Sequence, residues 1–110
     1  MLFRSASSPG IGARYIDPAL VARNNIKGVV MESVARGTPA NEAGLQPYSR
    51  RTGELGDVIT AVNGRVTDTL STFVAELDRV GVGNTAELTV MRGKAERKEK
   101  VRVIDLNRRV

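Results

Sequence analysis

Two places in this sequence carry residue types whose chemistry could be put to use, and neither has the partners that catalysis needs. Gly10-Ile11-Gly12-Ala13 sets two glycines one residue apart. That spacing lets successive backbone N–H groups converge into a nest for an anion such as a carboxylate. A structural turn entering a strand accounts for the same glycines, so the segment alone leaves both readings open. Asp57 has Glu54 nearby, but no base, nucleophile or metal ligand accompanies the two carboxylates. Asp57 is instead expected to organise the turn before a strand, through hydrogen bonds from its side chain to the backbone. Ser33, Ser71 and Thr72 have no His to activate them and no Gly-x-Ser-x-Gly elbow. The absence of any His or Cys excludes disulfides, the usual zinc ligand sets and nucleophile–His dyads. The expectation for this chain is no catalytic residue, no metal and no cofactor.

The elements that must position the nest are legible from turn and cap chemistry. Ile11 to Ile16 reads as a strand with Ile11, Ala13 and Tyr15 on one face. Asp17-Pro18 then supplies an N-cap and a first-turn proline for a short helix. Gly28 to Val34 is a second strand rich in β-branched residues. Thr38-Pro39 repeats the cap signature before another short helix, which Gly44 ends. Val58, Ile59, Ala61 and Val62 form a largely buried strand running into Asn63-Gly64, the dipeptide of tight hairpin turns. Leu70, Phe73, Val74, Leu77 and Val80 recur at helical spacing behind a cap at Asp68 or Thr69. That helix stops at Gly81 and Gly83, and a C-terminal hairpin follows with its turn at Gly93-Lys94. Such an apolar stripe is ordinarily core, and here it is expected to divide between core and an exposed wall.

One domain of 110 residues with 41% hydrophobic and 4% aromatic content must build its core from Val, Leu, Ile and Ala. The net charge of +5 favours anionic partners at long range. Its distribution does not mark a nucleic-acid site. Arg92, Lys94, Arg97, Lys98, Lys100 and Arg102 alternate with Glu96 and Glu99 in the C-terminal hairpin and read as a solvated edge, with few aromatics for base stacking. No apolar run approaches the roughly 20 residues of a membrane span, and no targeting signal is present in this fragment. Residues 1–9, with Ser5, Ser7, Ser8 and Pro9, read as a flexible linker, residues 10–106 as the domain, and 107–110 as a tail. Gln46 to Leu55 is a polar loop longer than compact domains usually carry.

Gly56-Asp57-Val58-Ile59-Thr60-Ala61-Val62-Asn63-Gly64 has the G-D-x-I-x-x-V-N-G spacing that resembles the most recognisable segment of PDZ domains. Ala40-Asn41-Glu42-Ala43-Gly44-Leu45 resembles the small-residue helix that precedes it there. The likeness spans roughly residues 10–104 and is nearest to the PDZ domains of bacterial and chloroplast HtrA/Deg serine proteases, which place the carboxylate loop first and finish with the strand that animal PDZ domains carry at the front.

The resemblance implies an α+β fold: a five- to six-stranded, mostly antiparallel partial barrel in that permuted order, with one long and one or two short helices. It implies that Ile11, Gly12 and Ala13 supply amides to a peptide carboxylate and that Ala13, Arg14, Tyr15 and Ile16 pair with the ligand as a strand. Leu70, Phe73, Val74 and Leu77 would form the opposing helix wall. Ala13 stands where a larger apolar residue is common, which leaves the pocket wider or partly filled by Phe73. The implied partners are hydrophobic C-termini or unfolded polypeptides, together with a covalently linked protease domain in a periplasmic or cell-envelope parent. Two alternatives stay open: an assembly or orientation module with a closed groove, and the PDZ domain of another peptidase, such as an intramembrane metalloprotease or a C-terminal processing protease.

Overall fold

In the computed structural model, which describes residues 8–106, two short strands bracket the chain and a six-stranded sheet lies between them. Strand β1 (Pro9–Gly10) pairs antiparallel with β8 (Ile104–Asp105), Pro9 opposite Asp105 and Gly10 opposite Ile104. The Ser8 N–H donates to the Asp105 carboxylate at 3.1 Å, and the Leu106 N–H donates to the Ser8 carbonyl at 2.8 Å. Ser8 and Pro9, expected in the linker, are therefore paired. The partner lies at the far end of the sequence, where no local pattern shows it. The rest of the expected linker, 1–7, and the tail at 107–110 lie outside the described residues.

The main sheet has the strand order β2 (Ala13–Tyr15), β3 (Val29–Val34), β4 (Val58–Val62), β6 (Thr85–Arg92), β7 (Ala95–Arg102), with β5 (Arg65–Val66) pairing with β4 off that path. All its pairings are antiparallel. Asn63 and Gly64 link β4 to β5 with φ of 50° and 80°, the pair of positive values that a two-residue hairpin turn requires. Gly93-Lys94 joins β6 to β7, with Arg92 opposite Ala95.

Among the described residues three helices pack on this frame, each capped as its sequence indicates. Asp17 accepts from the Ala19 N–H at the start of α1 (Pro18–Arg23), Thr38 caps α2 (Pro39–Glu42), and Thr69 caps α3 (Leu70–Val80). Side chains of β3 alternate between the two faces of the sheet. Val29 and Met31 enter the main core with Ile11, Ile59, Phe73, Leu77, Leu88 and Val90. Val30 faces the other way, into a smaller cluster with Val21 and Val58, joined by Ile16, Ile26 and Tyr48. The sheet thus has a deep face under α3 and a shallow face under α1 and the 46–55 loop.

Candidate functional site

Among the described residues, strand β2 stands at one end of the six-stranded sheet and pairs on one side only, with β3. The Gly12 carbonyl accepts from the Ala35 N–H, and the Ile16 N–H donates to the Val30 carbonyl, each at 2.9 Å. Alternation along an antiparallel ladder then turns the backbone groups of Ala13 and Tyr15 outward, to the unpaired side. The register slips by one residue between Arg14 and Tyr15, and β3 takes up the slip at Glu32, so β2 keeps its own alternation. A row of unpaired donors and acceptors is what a further strand needs.

The loop feeding β2 is held by its neighbours. The Ile11 carbonyl accepts from the Ala40 N–H of α2 at 2.9 Å, and the Ile11 side chain is fully buried. Gly12 has φ of 95°, and a Cβ there would lie 2.2 Å from the Thr38 Cβ. Only glycine fits both that backbone and that approach. Thr38 is fixed in turn, its hydroxyl donating to the Ala35 carbonyl at 2.6 Å and accepting from the Asn41 N–H at 3.3 Å. Ile11, Gly12 and Ala13 thus meet at the entrance of an open strand edge, on a loop locked by α2. Thr38 gave no sequence signal beyond its role as a cap.

Helix α3 runs alongside β2. Leu70 shares a small cavity of about 50 Å³ with Ile16. One turn further on, the Phe73 ring meets the Tyr15 ring edge-on, centroids 5.7 Å apart at 70°. The expected four-residue wall divides into two rows. Phe73 and Leu77 are fully buried in the core, whereas Val74 is 38% exposed and Leu70 is partly buried. Helical geometry explains the split, because residues four apart share a row and the two rows lie side by side. Phe73 is therefore floor rather than wall. Tyr15, partly buried against the same core, covers it, and burial pushes its phenol well above the ordinary value.

Away from this edge, Asp57 is fully buried and accepts five hydrogen bonds. The guanidinium of Arg92 donates to both carboxylate oxygens at 2.9 Å, that of Arg97 donates at 3.0 and 3.1 Å, and the Gln46 N–H donates at 2.8 Å. Burial alone would raise the Asp57 pKa. The hydrogen bonds from the two arginines and from the Gln46 backbone outweigh it and hold the carboxyl at about 2. Asp57 therefore organises its turn as expected and also collects two side chains. Arg92 and Arg97 correct the picture of a uniformly solvated edge. They occupy one face of the hairpin on a diagonal across its turn, Arg92 opposite Ala95 and Val90 opposite Arg97. This cluster holds no site for a reaction: its carboxylate is saturated by donors. Among the described residues no helix is long and apolar enough to cross a membrane.

Comparison with known proteins agrees with this geometry. The family model described as "PDZ domain" matches residues 9–103. The chain is 32% identical over 105 residues to "Protease Do-like 1, chloroplastic" of Arabidopsis thaliana, a match that covers 92% of the chain and 23% of that protein. Among solved structures it is similar to an HtrA-type protease, AlgW, with a decapeptide, at a TM-score of 0.68 and 19% identity, covering 94% of this chain and 31% of that one. It is similar also to the HtrA3 PDZ domain bound to a phage-derived ligand, FGRWV, at 0.65 and 24% identity, covering 96% and 98%.

Proposed function

This chain belongs to the PDZ family, and from that premise we propose that it captures the hydrophobic C-terminal residues of other polypeptides by strand addition at β2. The observation that carries this is the free edge of β2, beginning at the locked Gly10–Ala13 loop. A ligand runs antiparallel to Ala13–Ile16, its terminal carboxylate meeting the amides of Ile11, Gly12 and Ala13, its last side chain lying near Ala13 and Val74 and its upstream residues nearer Leu70. Main-chain pairing gives affinity, and the small pocket gives selectivity. With so few residues paired, binding near micromolar strength follows.

The parent protein is proposed to be an HtrA/Deg-like serine endopeptidase, in which this module recognises misfolded or regulatory substrates for a separate protease domain. The chain spans about a quarter of the curated relative it matches, and the chain's own residues do no bond-breaking chemistry. Compartment follows the parent, cell envelope or plastid. The edge-on contact of Tyr15 with Phe73, which occupies the floor between strand and helix, favours a second reading, an assembly module whose groove stays closed.

One titration separates the two. A hydrophobic pentapeptide with a free carboxylate should bind roughly tenfold more tightly than its amidated twin, because the amide lacks the charge that converging N–H groups favour. Equal affinities would reduce Gly10–Ala13 to a turn, and no binding of either peptide would support the closed groove.

A further inference from the structure

The chain enters and leaves the described domain at one place, beside the loop proposed to meet the ligand carboxylate. The Leu106 N–H donates to the Ser8 carbonyl at 2.8 Å, and Gly10 lies opposite Ile104 in the β1–β8 pair. This clasp is anchored one residue upstream of β8: the Val103 N–H donates to the Asn84 carbonyl, and the Val103 carbonyl accepts from the Gly83 N–H, each at 2.8 Å. Asn84 in turn donates from its side chain to the carbonyl of Val80, the last residue of α3, at 2.8 Å. The clasp therefore joins the Gly10–Ala13 loop to the end of the groove helix.

Leu106 is 49% exposed, yet its side chain seats on Gly10, which is buried. A Cβ at Gly10 would lie 2.5 Å from the Leu106 Cδ1, 2.7 Å from its Cγ and 3.0 Å from its Cδ2. The φ of Gly10 lies outside the left-handed region, so its backbone does not demand glycine. What demands glycine there is Leu106. The consequence falls on the nest. The peptide between Gly10 and Ile11 is planar, so rotation about the Cα–C bond of Gly10 aims the Ile11 N–H, the first donor of the nest. Glycine has more conformational freedom to lose than any other residue. Downstream, α2 holds the Ile11 carbonyl and Gly12; upstream, the cover over Gly10 is the leucine side chain.

We propose that Leu106 is a positioning residue for the carboxylate nest: seated on Gly10, it fixes the Gly10–Ile11 peptide before a ligand arrives, so that the β1–β8 clasp sets the affinity for a free C-terminus. This rests on the strand-addition reading. Preorganising the donor removes an ordering cost from binding. The clasp also lies where residues 8 and 106 lead into the flanking sequence, so a change there that opens it weakens carboxylate capture. By reciprocity, a bound carboxylate strengthens the clasp.

Fluorescence anisotropy with one hydrophobic pentapeptide, as free acid and as amide, tests this on four variants, with affinities taken per folded molecule. Leu106→Ala should weaken the free acid about fivefold and the amide less than about twofold, because the amide draws little from the nest. Leu106→Met keeps a long apolar chain over Gly10 and should stay within about twofold of wild type for both. Gly10→Ala drives the leucine off its seat and should weaken the free acid as Leu106→Ala does. Gly10→Ala combined with Leu106→Ala removes the clashing atoms and replaces them with a methyl that itself restricts the backbone, so it should recover most of the loss. Equal losses for acid and amide in Leu106→Ala, or no loss for either, would overturn the positioning role while strand addition stands. A double variant as weak as the two single losses combined would show that the residues act independently and also overturns it. If the wild-type protein binds acid and amide alike, the nest and this role fall together; if it binds neither, the strand-addition reading falls with them.

Discussion

The two outer strands of the sheet are built on opposite physics. Strand β7 runs eight residues, Ala95–Arg102, carries six charged side chains among Glu96, Arg97, Lys98, Glu99, Lys100 and Arg102, and is tied through Arg97 to the buried Asp57. Strand β2 runs three residues, Ala13–Tyr15, and is tied to the core by the apolar contacts of Ala13 and Tyr15. Charge along an edge discourages another strand from pairing. A short, largely uncharged edge beginning at a rigid glycine loop admits one of matching length. The contrast teaches that a small domain can leave one edge open for recognition while closing the other against aggregation, and that the two edges should fail under different perturbations.

The largest expected effect is on the apolar side. Phe73→Ala removes a fully buried ring from the main core and the edge-on neighbour of Tyr15. It should cost about 3–5 kcal/mol, lowering Tm by more than roughly 12 °C in a domain of this size. A loss below about 1 kcal/mol with altered peptide preference would return Phe73 to the groove wall and blur the distinction between floor and wall.

A somewhat smaller effect is expected on the charged side. Asp57→Ala leaves Arg92 and Arg97, both partly exposed, without their shared carboxylate, and frees the Gln46 amide. A loss of about 2–4 kcal/mol is expected, with peptide affinity per folded molecule little changed. The pH dependence has a defined sign. Asp57 titrates near 2 in the folded protein, below its ordinary value of 3.8, so its contribution is fully present above about pH 5 and is lost as pH falls toward 2. Chemical denaturation from pH 6 to 2 should show about 2 kcal/mol of acid-dependent loss from this group. That component should vanish in Asp57→Asn. An unchanged acid slope in the variant would show that the cluster does not act as a charge-held lock.

Much of this was legible because local chemistry set it. Asp17-Pro18, Thr38-Pro39 and Thr69 cap where their types predict, and Asn63-Gly64 turns as its dipeptide requires. The Gly10–Ala13 loop was legible as a candidate, since the need for glycine is a backbone property. What escaped depends on partners distant in sequence. Pro9 pairs with Asp105, which no composition rule reports. Arg92 and Arg97 look like any hairpin cations until the fold brings Asp57 to them across 35 and 40 residues. The division of Phe73 and Leu77 from Leu70 and Val74 needed the helix's rotation, which spacing alone does not fix because either row would serve as the buried one. The seat of Leu106 on Gly10 was hidden for the same reason, since the two residues stand near opposite ends of the sequence.

The central claim, that recognition occurs by strand addition at β2, is tested most directly by backbone amide exchange, followed residue by residue by NMR with and without a hydrophobic pentapeptide bearing a free carboxylate. The Ala13 and Tyr15 amides, which face the unpaired side, should gain protection of at least roughly tenfold at saturation, the Ile11 and Gly12 resonances should shift, and the β7 amides should stay unchanged. Saturable binding with new protection along β7, or with none at Ala13 and Tyr15, would contradict it.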